Sequence, residues 1–436
     1  MRNLFWVVAA SILLCACGGG GGGGGGGSSA ASAPPAPLTN FATVVVDAGP
    51  AALATGPNGY IADDTPYVSV TICAPGSTTN CQTIDHVLVD TGSVGLRLVQ
   101  SVINPSLLSA MPVQTDTSSN PVGECYGFVD GYVFGSVRSA DFQVGGESVS
   151  GMPLQVIADS GVFSATPPAS CTSGGGTNIN SVQALSANGI IGISVTTTDC
   201  GAFCETAGGF AAAIYYDCPT SGCSSVIARN AATSAPYQQL PNPVAAMAVD
   251  NNGTILELPS VPSSGEASAT GTLYFGIGTQ TNNGLGSATV LTTTTSTSPD
   301  GPGLITATYK SQSLPDSFLD SGSNAYYFVD STINACTSTG FVGYYCPASP
   351  VSVSTALTGQ NEHGVGVAFT LYNAQTLFAG SNSAVPGVGA NPNAISTFTA
   401  FPTSFDYGLP FFFGRNVYTA LEGRTAGSTT GPYFAF

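Results

Sequence analysis
The sequence predicts an all-β protein made of two similar halves with few short helices, and three observations carry that expectation. Runs rich in Val, Ile, Tyr, Phe and Thr recur between clusters of Gly, Pro, Asn and Ser, the pattern of strands bounded by turns. Helical patterning is confined to Gly209 to Tyr216 and Pro243 to Ala248. An apolar run leading into Asp, a hydroxyl residue, Gly and Ser occurs twice, as Val87 to Ser93 and Ser317 to Ser323, and no short repeat of the propeller or solenoid kind is present.

Composition narrows the function classes. The 436 residues include 7 Lys+Arg against 24 Asp+Glu, and only 7% of them are charged. About a quarter is usual for a soluble domain, so Ser, Thr, Asn and Gln must cover this one. The basic residues are scattered singly, which excludes a nucleic-acid partner and a polybasic membrane contact, since both need clustered cations. A chain with so few ammonium groups gains little positive charge when its carboxylates protonate, a composition that suits acid.

At the amino terminus, Met1-Arg2-Asn3 is followed by the 11-residue run Leu4 to Leu14, apolar except for Ser11, and then by Cys15-Ala16-Cys17. This resembles the bacterial lipoprotein signal, in which a cysteine behind a small residue is lipidated and becomes the mature first residue. The resemblance makes residues 1–16 a signal peptide, Cys17 the lipidation site, and the bacterial cell envelope the location, at the outer membrane or periplasmic face. An ordinary cleaved signal peptide and a transmembrane anchor are the alternatives, although the run falls short of the roughly 18 to 20 residues a span needs. Ten glycines, Gly18 to Gly27, and a Ser/Ala/Pro stretch to Pro37 read as a tether over residues 17–39.

The strands expected beyond it are Phe41 to Val46, Tyr67 to Ile72, Ile84 to Val89, Gly131 to Val137, Leu154 to Ile157, Thr272 to Gly276 and Val367 to Tyr372; Leu291 to Ser298, nearly all Thr and Ser, reads as loop or edge strand. Ten cysteines remain after Cys15 and Cys17, an even number in an exported chain, where disulfides are the default. Cys73 and Cys81 flank a turn-rich segment and would staple a hairpin, Cys336 and Cys346 look similarly local, and Cys125 and Cys171 are left to pair by elimination. Cys200, Cys204, Cys218 and Cys223 have the spacing of a tetrahedral zinc site as well as of two disulfides, and three pairings among them stay open. His86 and His363, the only histidines, leave little material for a Ser-His or Cys-His pair.

The repeated motif resembles the two catalytic loops of pepsin-like aspartic peptidases, in which two aspartates meet across a pseudo-twofold axis. That family threads two apolar residues and a glycine beneath each loop. Here Gly189-Ile190-Ile191-Gly192 stands in the first half, with Gly192 102 residues after Asp90, and Asp406-Tyr407-Gly408 in the second, with Gly408 88 residues after Asp320. A third match, Asp159-Ser160-Gly161, lacks the following Ser and reads as a turn.

The resemblance implies a bilobal pepsin-like double β-barrel, with an N-terminal lobe over residues 40–262, a Cys-rich insertion at about 198–225, and a C-terminal lobe over 263–436. It implies Asp90 and Asp320 as the catalytic pair. Thr91 and Ser321 would fix the loops to one another, Gly92 and Gly322 would let the backbone approach the carboxylates, and Ser93 and Ser323 would hold the outer carboxylate oxygens. Tyr126 is the candidate flap tyrosine, and Arg97 stands where the family has a tryptophan bracing it. The chemistry needs no metal and no cofactor: two apposed carboxyls sharing one proton can activate water and polarise a carbonyl. The expected function is an envelope-anchored aspartic endopeptidase, a monomer with a polypeptide in its cleft. A non-catalytic module binding peptide or glycan on the same scaffold, and a structural lipoprotein of other topology, are the alternatives.

Overall fold
A computed structural model describes residues 39–56, 59–116, 118–162, 167–172, 176–201, 204, 214–225, 239–298, 300–395 and 403–436. Residues 1–16, the tether as far as residue 38, Cys17 and residues 209–213 of one expected helix lie outside them. Residues 38–436 form one compact unit. Its fold is all-β and two-lobed; among the described residues the α-helices are six, each of four to six residues.

The same strand arrangement is built twice. In the first lobe, Cys81–Asp90 runs parallel to Gly189–Ile193, with Asp90 opposite Gly192, and the chain returns as Val94–Val99, antiparallel on the other side of that strand. In the second, Gln312–Leu319 runs parallel to Asp406–Tyr407, and Tyr326–Tyr327 returns antiparallel to it. Each Asp loop is therefore the link between two strands that flank a third. Glycine is required under both loops because a Cβ on Gly192 would lie 2.6 Å from the Val94 nitrogen, and one on Gly408 2.1 Å from the Ala325 oxygen.

A sheet shared by both halves closes the base. Phe41–Val46, from the start of the chain, pairs with Ala269–Phe275, which pairs with Gly253–Glu257, then Asn416–Ala420, Tyr433–Ala435 and Val290–Thr292. Val290–Thr292 is the edge strand of that sheet, and the rest of the Thr-rich run is loop. One hydrophobic cluster takes Val87, Val89 and Ile191 from the first lobe and Leu319, Tyr407 and Leu409 from the second, all buried. Removing so much apolar area from water is the main force holding the two Asp loops in register.

Five disulfides form, and they decide the pairings left open: Cys73–Cys81, Cys125–Cys171, Cys200–Cys204, Cys218–Cys223 and Cys336–Cys346. The four sulfurs of the Cys-rich insertion are thereby spent on each other, which removes the thiolates a zinc site would need. Neither expected helix is helical where it is described. Tyr215–Asp217 is a strand paired with Val122–Glu124, so tertiary pairing overrides local propensity. Residues 243–246 form a single hydrogen-bonded turn that does not extend into a helix: the Ala246 N–H donates to the Asn242 carbonyl, and the Asn242 side chain accepts the Val244 N–H and donates to the carbonyls of Ser194 and Thr196.

Candidate active site
Asp90 ends a strand whose last four residues are buried, and Asp320 directly follows another. Asp90 Oδ1 accepts the backbone N–H groups of Gly92 (2.7 Å) and Ser93 (3.1 Å), and its Oδ2 accepts the Ser93 hydroxyl. Asp320 Oδ1 accepts the Gly322 N–H (2.8 Å) and Oδ2 the Ser323 hydroxyl (2.8 Å). The two carboxyls face one another across the loop glycines. A Cβ on Gly92 would lie 2.6 Å from Asp320 Cγ, and one on Gly322 2.7 Å from Asp90 Oδ1.

The loops are cross-bonded with near twofold symmetry. The Thr91 hydroxyl donates to the Leu319 carbonyl (3.2 Å) and accepts the Ser321 N–H (2.9 Å). Ser321 reciprocates, donating to the Val89 carbonyl (2.7 Å) and accepting the Thr91 N–H (3.2 Å). Both hydroxyls are buried, so each of these four bonds satisfies a group that would otherwise be costly to desolvate. Short-range cross-bonding of this kind fixes the separation of the carboxyls on which any shared proton depends.

Burial, and then the charge of Asp90, raise the Asp320 carboxyl to about 8; the Ser323 and Gly322 hydrogen bonds pull the other way. Ser323 reaches further. Its Oγ also lies 2.7 Å from Oδ2 of Asp406, a buried residue in the strand beneath the loop. Burial, and then the charge of Asp320, push Asp406 well above the usual carboxylate range.

Tyr126 lies on the hairpin formed by Val122–Gly127 and Gly131–Val144, with Tyr126 opposite Val133 and the tip at Phe128 to Asp130. Burial raises both Tyr126 and Asp130, and the charge of Asp90 adds to it as a smaller influence, ranking behind Arg97 and Asp199 at Tyr126 and behind a backbone hydrogen bond at Asp130. Arg97 braces the hairpin: the guanidinium sits 3.8 Å from the Tyr126 ring centroid. Arg97 is wholly buried, and it is held by the Val94 carbonyl (2.7 Å), Glu124 (2.6 Å) and Asp199 (3.5 Å), with the Tyr215 hydroxyl donating to Asp199 (2.7 Å). The guanidinium thus offers a flat cationic face to the Tyr126 ring.

Next to Ser323, Asn324 donates to the Tyr344 hydroxyl (3.3 Å), and Tyr344 lines a cavity of about 540 Å³ with Tyr60, Asp63, Phe341 and Phe378. Burial raises the Asp63 carboxyl to about 7. Asp159 of the third Asp-Ser-Gly accepts from Arg138 Nε (2.7 Å) and from the Ser136 hydroxyl, away from the pair. Sequence reasoning missed Asp406 and the Glu124–Asp199 partners of Arg97. Asp406 carried a visible signal, an acidic residue where the threading segment is otherwise apolar, whereas Glu124 and Asp199 carried none.

Comparison with known proteins adds three findings. A family model described as "Protein of unknown function (DUF3443)" matches residues 36–436. No curated protein matches. Among solved structures, the aspartic proteinase from Irpex lacteus is similar at 15% identity and a TM-score of 0.47, over 91% of this chain and 96% of that one.

Proposed function
The chain belongs to the DUF3443 family, whose function is unknown, and from the geometry of the paired loops we propose that it is an aspartic-type endopeptidase. The observation that carries the reading is the apposition of Asp90 and Asp320, each against the glycine of the other's loop. Asp90, with three donors on its oxygens, is the better site for the negative charge, and Asp320, the more weakly solvated, keeps the proton. Asp90 takes a proton from water as that water attacks a peptide carbonyl and Asp320 gives its proton to the carbonyl oxygen; as the C–N bond of the tetrahedral intermediate breaks, Asp90 passes its proton to the leaving nitrogen and a hydroxyl of the intermediate returns one to Asp320. Tyr126 closes over the bound chain, and the aromatic, acidic cavity beside Tyr344 is suited to a polypeptide side chain.

The test is cleavage of a mixed peptide library from pH 3 to 7 by the wild type, Asp90→Asn and Asp320→Asn. We expect both substitutions to lower the rate by about 10²-fold or more, and a statine-type transition-state mimic to block the wild type. Folded wild-type protein that cleaves nothing would sink the reading in favour of a peptide- or glycan-binding module. We also propose that Cys17 is lipidated and holds the chain at a bacterial envelope, which rests on the amino-terminal sequence. Cys17→Ala should move the protein from the membrane fraction to the soluble one; retention in the membrane would refute the anchor.

A further inference from the structure
We propose that Asp406 is a third carboxyl of the active site, a positioning residue that keeps its proton and donates it to Ser323 Oγ, so that the single hydroxyl hydrogen of Ser323 is committed to Asp320 Oδ2. The inference rests on the reading of Asp90 and Asp320 as the catalytic pair. Its starting point is a proton count. Ser323 Oγ lies 2.8 Å from Asp320 Oδ2 and 2.7 Å from Asp406 Oδ2, but a serine hydroxyl has one hydrogen. It can donate to only one carboxyl, so the other must donate to it and must be protonated.

The surroundings say which one. Asp320 has a backbone N–H on its second oxygen, whereas Asp406 Oδ1 is buried with no hydrogen-bond partner. A buried carboxylate oxygen without a donor is far more costly than the carbonyl oxygen of a neutral acid. Burial is the largest influence on Asp406, and a charge on either member of the pair raises it further; only the Ser323 hydrogen bond opposes them, and no cation acts on it among the described residues. The remaining titratable group facing it is Tyr327, opposite Asp406 on the return strand and itself neutral, raised well above its ordinary value by burial. Three carboxyls therefore hold one charge, on Asp90, and two protons. With Ser323 polarised from behind, Asp320 Oδ2 is pinned and its proton is left to the other oxygen, toward Asp90.

The experiment uses the full chain with Asp406→Asn, which keeps a neutral donor, and Asp406→Leu, which has none. We expect the Asn variant to keep kcat within about threefold and the alkaline limb of its pH profile within about half a unit. The Leu variant should lose about tenfold or more in kcat with little change in KM. If Asp406 were charged in the wild type, the Asn variant would remove a repulsive charge and shift the alkaline limb down by about a unit or more; that shift, or a Leu variant with unchanged kcat, would overturn the proposal. Infrared difference spectra of wild type minus Asp406→Asn at pH 6 decide it without activity or the Leu variant. A protonated-carboxyl band supports the assignment and its absence refutes it, so a chain that cleaves nothing would end the peptidase reading while Asp406 is still judged by its own band.

Discussion
Arg97 shows what one residue can change in a repeated motif. Wholly buried, it faces two carboxyls, and Asp199 is raised well above the ordinary range by burial and by Glu124, while Arg97 draws it down. One cation thus holds two acids in a dry site, with Tyr126 against its face. Arg97→Met would leave Glu124 without its counter-charge, and breaking a buried pair from one side costs about 3–5 kcal/mol. We expect urea unfolding to show a loss of that size, with part of it recovered in Arg97→Met/Glu124→Gln; a variant as stable as wild type would mean the carboxyls are neutral without the cation. At this scale the sequence was uneven. Asp90, Thr91, Ser321 and Asp320 were legible because strand, hydroxyl, glycine and spacing repeat together. Glu124 and Asp199 were not, because each is an isolated acid whose partner lies 27 or more residues away in the chain.

Among the elements, legibility followed local constraint. Phe41–Val46 was readable to the residue from its β-branched run, although its period-two burial, which exposes Phe41 and buries Ala42, is set by the neighbouring strands and is not written into Phe-Ala-Thr-Val-Val-Val. The hairpin closed by Cys73 and Cys81 was readable because its staple is eight residues long, and the register places the two cysteines opposite one another. What failed was decided by distant partners. Tyr215–Asp217 is a strand held between Val122–Glu124, tied down by Cys125–Cys171, and Ser224–Ser225 across the Cys218–Cys223 turn. The helix expected at Pro243 to Ala248 is reduced to one turn, capped by the Asn242 side chain, which also ties it to the loop at Ser194 and Thr196. The threading strands explain why the site is more regular than its surroundings. Each must pass between two others under a tight loop, and that demand leaves a glycine at a fixed place in each half.

Across the whole molecule, the buried acids set the direction in which stability changes with pH. Asp63 and Asp320 are raised to about 7 and about 8 by burial, and Asp64, Asp199 and Asp406 are raised as well. An unfolded Asp titrates near 3.9, so between about pH 4 and pH 8 the folded chain binds more protons than the unfolded one. Stability therefore falls as pH rises through that window. Asp330 has the opposite sign: burial works against it, but Lys310, Tyr309 and Thr332 hold it at about 2, so its contribution is present above pH 4 and is lost below. Repulsion among positive charges adds little in acid, because the chain has 7 Lys+Arg and 2 His. The stability maximum should accordingly lie near pH 4, with Tm at pH 4.5 about 5 °C or more above that at pH 8, since each kcal/mol moves Tm by about 2–4 °C in chains of 150–250 residues. Calorimetry from pH 3 to 8 checks it, and a Tm that is level or rising between pH 4.5 and pH 8 would show that the buried carboxyls are ionised in the folded chain. A maximum in acid would place the most stable form of the protein where Asp320 is protonated, the state in which a carboxyl can give a proton to a peptide carbonyl.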